Sequence, residues 1–184
     1  MRTLRRLVIL SLLPAVSAAQ SFHEAPANAR ARIVLADSTE PGARLTVSGR
    51  VLSSTGQPIA NASIYAYQTD ATGRYIPGGT GAQGSDRPRL FGFMRSDANG
   101  NYAFTTIKPG SYPDSRNPAH IHFELRAPGH ADRMYEIVFE GDPFISDNFR
   151  AQAREAFGGV EIVTARTVAG VVQVAHDIRL RAAR

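Results

Sequence analysis

The run Phe91-Gly92-Phe93-Met94-Arg95-Ser96-Asp97-Ala98-Asn99-Gly100-Asn101-Tyr102-Ala103-Phe104-Thr105-Thr106-Ile107 decides the fold class. Phe91 to Ser96 and Asn101 to Ile107 both alternate apolar and polar residues with period two, the signature of strands with one buried face. Between them Asp97-Ala98-Asn99-Gly100 is a strong turn, because Asp and Asn bond their own backbone and Gly takes positive φ at no cost. Strand, turn and strand recur on either side. Ala31 to Leu35, Leu45 to Leu52 and Ser63 to Gln68 precede this run, and Met134 to Glu140 follows it. Gly159 to Thr167 and Val171 to Leu180 read as a closing hairpin. Asp142 to Phe157 is the one helical segment predicted, with Ser146 or Asp147 as its N-cap and Gly158-Gly159 as its stop. Many short strands at regular spacing predict an all-β antiparallel β-sandwich with long loops and one short helix. The longest loop, Ile76 to Arg89, is rich in Gly, Pro, Ser and Asp, and loops of that length in small domains are more often functional than idle.

The chain has 184 residues, a length that suits one domain with a substantial core. The expected organisation is a signal peptide over residues 1–19, a flexible lead-in over 20–30 and the sandwich over 31–184. Met1-Arg2-Thr3-Leu4-Arg5-Arg6 is basic, Leu7 to Val16 is almost wholly apolar, and Ser17-Ala18-Ala19 offers small residues for cleavage. The apolar run is too short to span a bilayer, so no membrane span is expected once it is removed. Arg5-Arg6 is also similar to a twin-arginine export signal, and a periplasmic or secreted location follows. The net charge of +5 falls to +2 when the leader's three arginines are removed. A mildly basic chain with dispersed arginines does not fit a nucleic-acid partner. There is no cysteine, so neither a disulfide nor a thiolate ligand is available, and any metal must use N and O donors.

Pro118-Ala119-His120-Ile121-His122-Phe123-Glu124-Leu125 reads as a further strand. Residues two apart share a strand face, so His120 and His122 form half of a coordination shell on a rigid element. Tyr75 and Tyr112 stand in turn or loop contexts beside strand ends, where a side chain can be aimed into a site. Tyr65, Tyr67, Tyr102 and Tyr135 read instead as residues of the sandwich surface. A phenolate is a hard anionic donor suited to a high-valent metal, and two phenolates with two imidazoles would neutralise two charges of Fe(III).

These residues belong to a longer set of motifs: Gly49-Arg50-Val51, Gly56-Gln57-Pro58-Ile59-Ala60-Asn61-Ala62, Tyr67-Gln68-Thr69-Asp70-Ala71-Thr72-Gly73-Arg74-Tyr75, Asp97 to Pro113, Pro118-Ala119-His120-Ile121-His122-Phe123, Phe139-Glu140-Gly141-Asp142 and His176-Asp177-Ile178-Arg179-Leu180. In this order the chain resembles the intradiol ring-cleavage dioxygenases over roughly Leu45 to Leu180. The resemblance implies a mononuclear non-haem Fe(III) site with Tyr75, Tyr112, His120 and His122 as ligands. It implies a catechol-type aromatic and O2 as substrates, with the ring opened between its hydroxyl-bearing carbons to a muconate-type diacid. Tyr112 would leave the metal and take up a substrate proton. The family commonly has an arginine directly before Pro-Ala-His. Here Asn117 holds that position, and Arg116 is the candidate to supply the catalytic charge. Asn117 and Glu136 are candidates to face the substrate, and a homo-oligomer is possible. Two alternatives remain: an iron-binding member without turnover, and a non-catalytic module of the carboxypeptidase-regulatory or transthyretin-like kind. The latter shares the strand motifs but does not account for the four donor residues together.

Overall fold

The computed structural model describes residues 22–183, and the leader at 1–19 lies outside them. Two sheets face each other across an apolar core. The first is built from Arg32–Val34 (β1), Arg44–Ser53 (β2), Asn101–Ile107 (β5), Ala165–Val168 (β9), Val171–Ala175 (β10) and Ile178–Leu180 (β11). Its order is β1-β5-β2-β10-β9, with β11 beside the second half of β2. The second contains Ser63–Gln68 (β3), Leu90–Arg95 (β4), His120–Arg126 (β6), Arg133–Phe139 (β7) and Val160–Val163 (β8), in the order β4-β3-β6-β7-β8. The turn at Asp97 therefore carries the chain from one sheet to the other and makes no hairpin. Asp97 Oδ1 accepts from the N–H groups of Asn99 and Asn101 at 2.9 and 2.8 Å, and Gly100 has φ +77.

The sheets are mixed, although alternation alone predicted antiparallel pairing. β1 runs parallel to β5, β10 and β11 run parallel to β2, and β8 runs parallel to β7. Parallel neighbours need a long crossover, and the connection from β7 to β8 contains the helix Asp147–Gln152 (α1). The expected closing hairpin is divided. β8 joins the second sheet, and only β9 and β10 pair as a hairpin in the first. Glu161 on β8 accepts from Arg133 on β7 at 2.6 Å and meets His176 Nε2 beyond β10 at 2.7 Å, which ties the two sheets together. Burial raises the Glu161 pKa, but the bonds from His176 and Arg133 outweigh it and hold the carboxyl below its ordinary range.

α1 is shorter than the Asp142 to Phe157 span read from sequence. Ser146 caps it by accepting from the N–H of Phe149. Asp142 is engaged elsewhere: its carboxylate accepts from the N–H groups of Ala119 at 3.0 Å and Phe144 at 2.9 Å. The described part of the lead-in, 22–30, is tied down. The N–H of His23 donates to Glu124 at 2.8 Å, the N–H of Ala25 donates to Ser63 Oγ at 2.8 Å, and the Arg95 guanidinium donates to the carbonyls of Ala25 and Pro26. No helix among the described residues is long and apolar enough to cross a membrane.

β6 places Ile121, Phe123 and Leu125 in the core, all fully buried. Phe123 packs against Phe104 at 6.0 Å and stacks on Tyr135 at 5.4 Å. Tyr102 and Tyr135, read as surface residues, belong to this core at 2% exposure each. Tyr65 is also buried. Strand alternation gives the face of a residue but not what covers that face. Truncation of Phe123 to Ala should cost about 3–5 kcal/mol of unfolding free energy, measured by denaturant titration.

Candidate metal centre

Two loops and one strand meet at the first residue of β6. Residues 69–75 form an Asx-type turn, in which Asp70 Oδ1 accepts from the N–H groups of Thr72 at 2.8 Å and Arg74 at 3.1 Å. This turn lies directly on the loop 108–112. The N–H of Gly110 donates to Asp70 O at 2.9 Å, and Thr69 Oγ1 donates to Gly110 O at 2.9 Å. A Cβ on Gly73, which has φ +81, would sit 1.8 Å from Ser111 O, and one on Gly110 would sit 2.6 Å from Ala71 O. Only glycine permits this approach. Tyr75 and Tyr112 each follow one of these glycines by two residues, so the backbone contact delivers their phenols to one place.

There the Tyr75 and Tyr112 hydroxyls are 2.9 Å apart. Tyr75 Oη lies 2.8 Å from His122 Nε2 and 3.4 Å from His120 Nε2, and Tyr112 Oη lies 3.1 Å from His120 Nε2. Two phenolic oxygens and two imidazole nitrogens thus form one contact cluster. His120 Nδ1 is 2.7 Å from Pro118 O. A carbonyl only accepts, so the proton is on Nδ1 and the Nε2 lone pair points at the phenols. Tyr75 is 1% exposed, whereas Tyr112 is half-buried. Glu136 on β7 approaches from the other side, its Oε2 3.9 Å from His120 Nε2 and 3.8 Å from His122 Nδ1. His120, His122 and Glu136 together form a group able to hold a metal ion.

Burial dominates the electrostatics. It pushes the Tyr75 phenol far above its ordinary pKa, with the hydrogen bond to Tyr112 adding to the rise. It also raises Tyr112, against the lowering effect of the bond from Tyr75. His122 is lowered to about 3 by burial and by the neighbouring His120. Burial raises Glu136, and His120 opposes that rise. Without a cation the phenols therefore keep their protons and His122 is neutral. A bound cation would replace those shared protons, which is how N and O donors couple metal binding to proton release.

Four of the residues read from sequence come together, namely Tyr75, Tyr112, His120 and His122, with Glu136 beside them. Asn117 is partly buried on the link before Pro118, and Arg116 does not join them. Arg116 is exposed, with its guanidinium carbon 5.7 Å from the centre of the Phe144 ring, and no hydrogen bond or ion pair among the described residues links it to the donors. The N–H of Ser115 donates to Tyr112 O, and that of Asn117 donates to Ser115 Oγ, so the link turns tightly after Tyr112 and aims Arg116 outward. Tyr67, assigned to the surface from sequence, stacks on His122 with centroids 4.4 Å apart and planes 11° apart. β-alternation put Tyr67 on an outer face, but only the register Tyr67↔His122 shows what that face meets.

A family model described as "Dioxygenase" matches residues 18–182. The chain is 36% identical over 113 residues to the protocatechuate 3,4-dioxygenase beta chain of Burkholderia cepacia, covering 57% of this chain and 48% of that one. It is 30% identical over 137 residues to catechol 1,2-dioxygenase 2 of Acinetobacter lwoffii, covering 66% and 49%. The chain thus spans about half the length of these curated relatives. Among solved structures, the dioxygenase domain of a dioxygenase carbohydrate-binding protein fusion from Streptomyces sp. SirexAA-E superposes with TM-score 0.63 at 27% identity, over 82% of this chain and 87% of that one. Catechol 1,2-dioxygenase from Pseudomonas arvilla C-1 shares the fold, with TM-score 0.66 at 24% identity over 84% and 57%.

Two outcomes follow from this geometry. Gly73→Ala and Gly129→Ala both put a side chain at positive φ, which costs about 1–3 kcal/mol. Only the former also meets a backbone carbonyl, while nothing lies within 4 Å of a Cβ at Gly129. Denaturant midpoints should show the larger loss in Gly73→Ala. Secondly, an unfolded chain protonates His122 below pH 6.5, whereas the folded chain resists until about pH 3. Stability of the metal-free protein should therefore decline as pH falls through that window. The urea midpoint followed against pH should show a shallower decline in His122→Asn.

Proposed function

The chain belongs to the intradiol dioxygenase family, and from that membership we propose that it is a non-haem Fe(III) enzyme that opens a catechol-type ring with O2. The cluster of two phenols and two imidazoles in mutual contact carries this reading. Its donor chemistry fits ferric iron: hard oxygens, borderline nitrogens and no sulfur. The His120 Nε2 lone pair already faces the phenols, so loss of the phenolic protons would leave these oxygens and imidazole nitrogens as neighbouring donors. Tyr75, Tyr112, His120 and His122 would hold the metal. Bound there, Fe(III) supplies Lewis acidity that lowers the catechol pKa and withdraws electron density from the ring.

The remaining roles fall to the chain. Tyr75, fully buried and in contact with three of its neighbours, stays in place. Tyr112 is the more open of the two phenols, so it moves aside for substrate and accepts a substrate proton at its oxygen. Glu136 lends negative charge to the rim beside the histidines. The product is a muconate-type diacid that retains both atoms of O2.

The position of Arg116 on Phe144 favours a second reading, an iron-binding protein without turnover. Export is also part of the proposal, with the mature chain starting after Ala18 or Ala19, and N-terminal sequencing of the exported protein checks it.

The purified protein reconstituted with ferric iron should be wine-red from phenolate-to-iron charge transfer. Tyr75→Phe or Tyr112→Phe should remove much of the visible absorption. A colourless, iron-free protein after reconstitution would refute the ferric site. An oxygen electrode with a panel of catechols, scored for muconate-type products, separates the two readings: a red protein that consumes no O2 is the inactive binder.

A further inference from the structure

His122 differs from its partner in how it is held. His120 has its proton fixed on Nδ1 by the Pro118 carbonyl. Among the described residues no carbonyl does this for His122, whose Nδ1 lies 3.8 Å from the Glu136 carboxylate, a charge contact longer than a hydrogen bond. The two strands that flank β6 supply two of the residues against this imidazole, beside Tyr75 and His120. The pairing of β3 with β6 puts Tyr67 opposite His122, and the pairing of β7 with β6 puts Glu136 opposite it on the other side. Tyr67 lies nearly parallel to the imidazole at 4.4 Å, a stack that restricts rotation about the terminal torsion of His122.

Tyr67 is itself supported. It stacks on Tyr65 at 5.3 Å, and Tyr65 is covered by Phe93 at 4.7 Å and by His23 at 4.5 Å. His23 is bound in turn through its backbone N–H and its ring to the buried Glu124. A row of rings therefore runs from the N-terminal segment to the imidazole, with Tyr65 only 4% exposed within it. Such support is more than a surface tyrosine needs.

We propose that Tyr67 and Glu136 are positioning residues that fix the ring plane and the Nδ1–H tautomer of His122, so that its Nε2 is presented to the metal centre. Partners beyond the ligands commonly set the orientation and basicity of a ligating imidazole, and their loss weakens metal affinity by about 10–100-fold. The inference rests on the ferric reading for its consequence but not for its geometry. Its test therefore has one arm with metal and one without.

In the iron-free protein, side-chain 15N resonances should show His122 as the Nδ1–H tautomer. Glu136→Leu should give a mixture of tautomers, and Tyr67→Ser should broaden the ring signals by exchange. In the iron-loaded protein, transfer of iron to a chelator should be about 10-fold or more faster in Tyr67→Ser and Glu136→Leu. Tyr67→Phe, which keeps the stack, should stay near wild type and so separate positioning from folding. The charge-transfer maximum should shift in the two disruptive variants and remain in place in Tyr67→Phe. Wild-type tautomer and wild-type iron retention in both disruptive variants would overturn the proposal. A wild-type protein that takes up no iron would refute the ferric reading, and the tautomer measurement would still decide the positioning roles.

Discussion

Side-chain alternation along β6 joins the core to the site. Ile121, Phe123 and Leu125 are locked among the buried residues of the sandwich, so His120, His122 and Glu124 must take the opposite face. A slip of one residue would exchange the two sets, exposing Phe123 and burying unpartnered imidazoles in an apolar core. The free energy that orders the core therefore also fixes the orientation of the histidines. Asp142 sharpens this by holding the N–H of Ala119 immediately before His120, which pins the point at which the strand begins.

The phenols reach the same place by a different route. Neither tyrosine lies on a strand, and each is carried by a loop that would be free to wander if it stood alone. The loops are held together by backbone contact at Gly73 and Gly110, where a single methyl group would collide with a carbonyl. Close backbone approach of this kind replaces side-chain packing as the constraint. It leaves the tyrosines free of structural duty at their tips. The long segment after Tyr75 returns to it through the bond from Arg89 N–H to Tyr75 O and is anchored to Glu40 through the Arg89 side chain.

Burial gives the cluster its metal-free state. Desolvation disfavours the phenolates and the His122 imidazolium, so the phenols keep their protons, His122 stays uncharged, and the four donors satisfy one another by hydrogen bonds. A polar cluster this dry is costly unless every member has a partner, and here the partners are the other donors themselves. The same arrangement fits a cation: the hydrogen bonds that hold the donors together are the ones a metal would replace.

Strands and turns were legible in the sequence, and so were the four side chains, Tyr75, Tyr112, His120 and His122, that the fold brings into contact. The first half of Arg44–Ser53 follows from alternation, because a half-buried strand writes its burial into a period of two. His120 and His122 were legible for the same reason, and Tyr75 and Tyr112 through their turn contexts and family motifs. Pairing was not legible. The parallel strands β8, β10 and β11, the core placement of Tyr102 and Tyr135, and the stack of Tyr67 on His122 all depend on which strand lies beside which. The outward aim of Arg116 was equally hidden, since it depends on how the five residues between Tyr112 and Pro118 turn. Alternation records which face of a strand is buried, whereas the tertiary structure alone decides which residue of a distant strand stands opposite, because register is set by contacts between segments far apart in the chain.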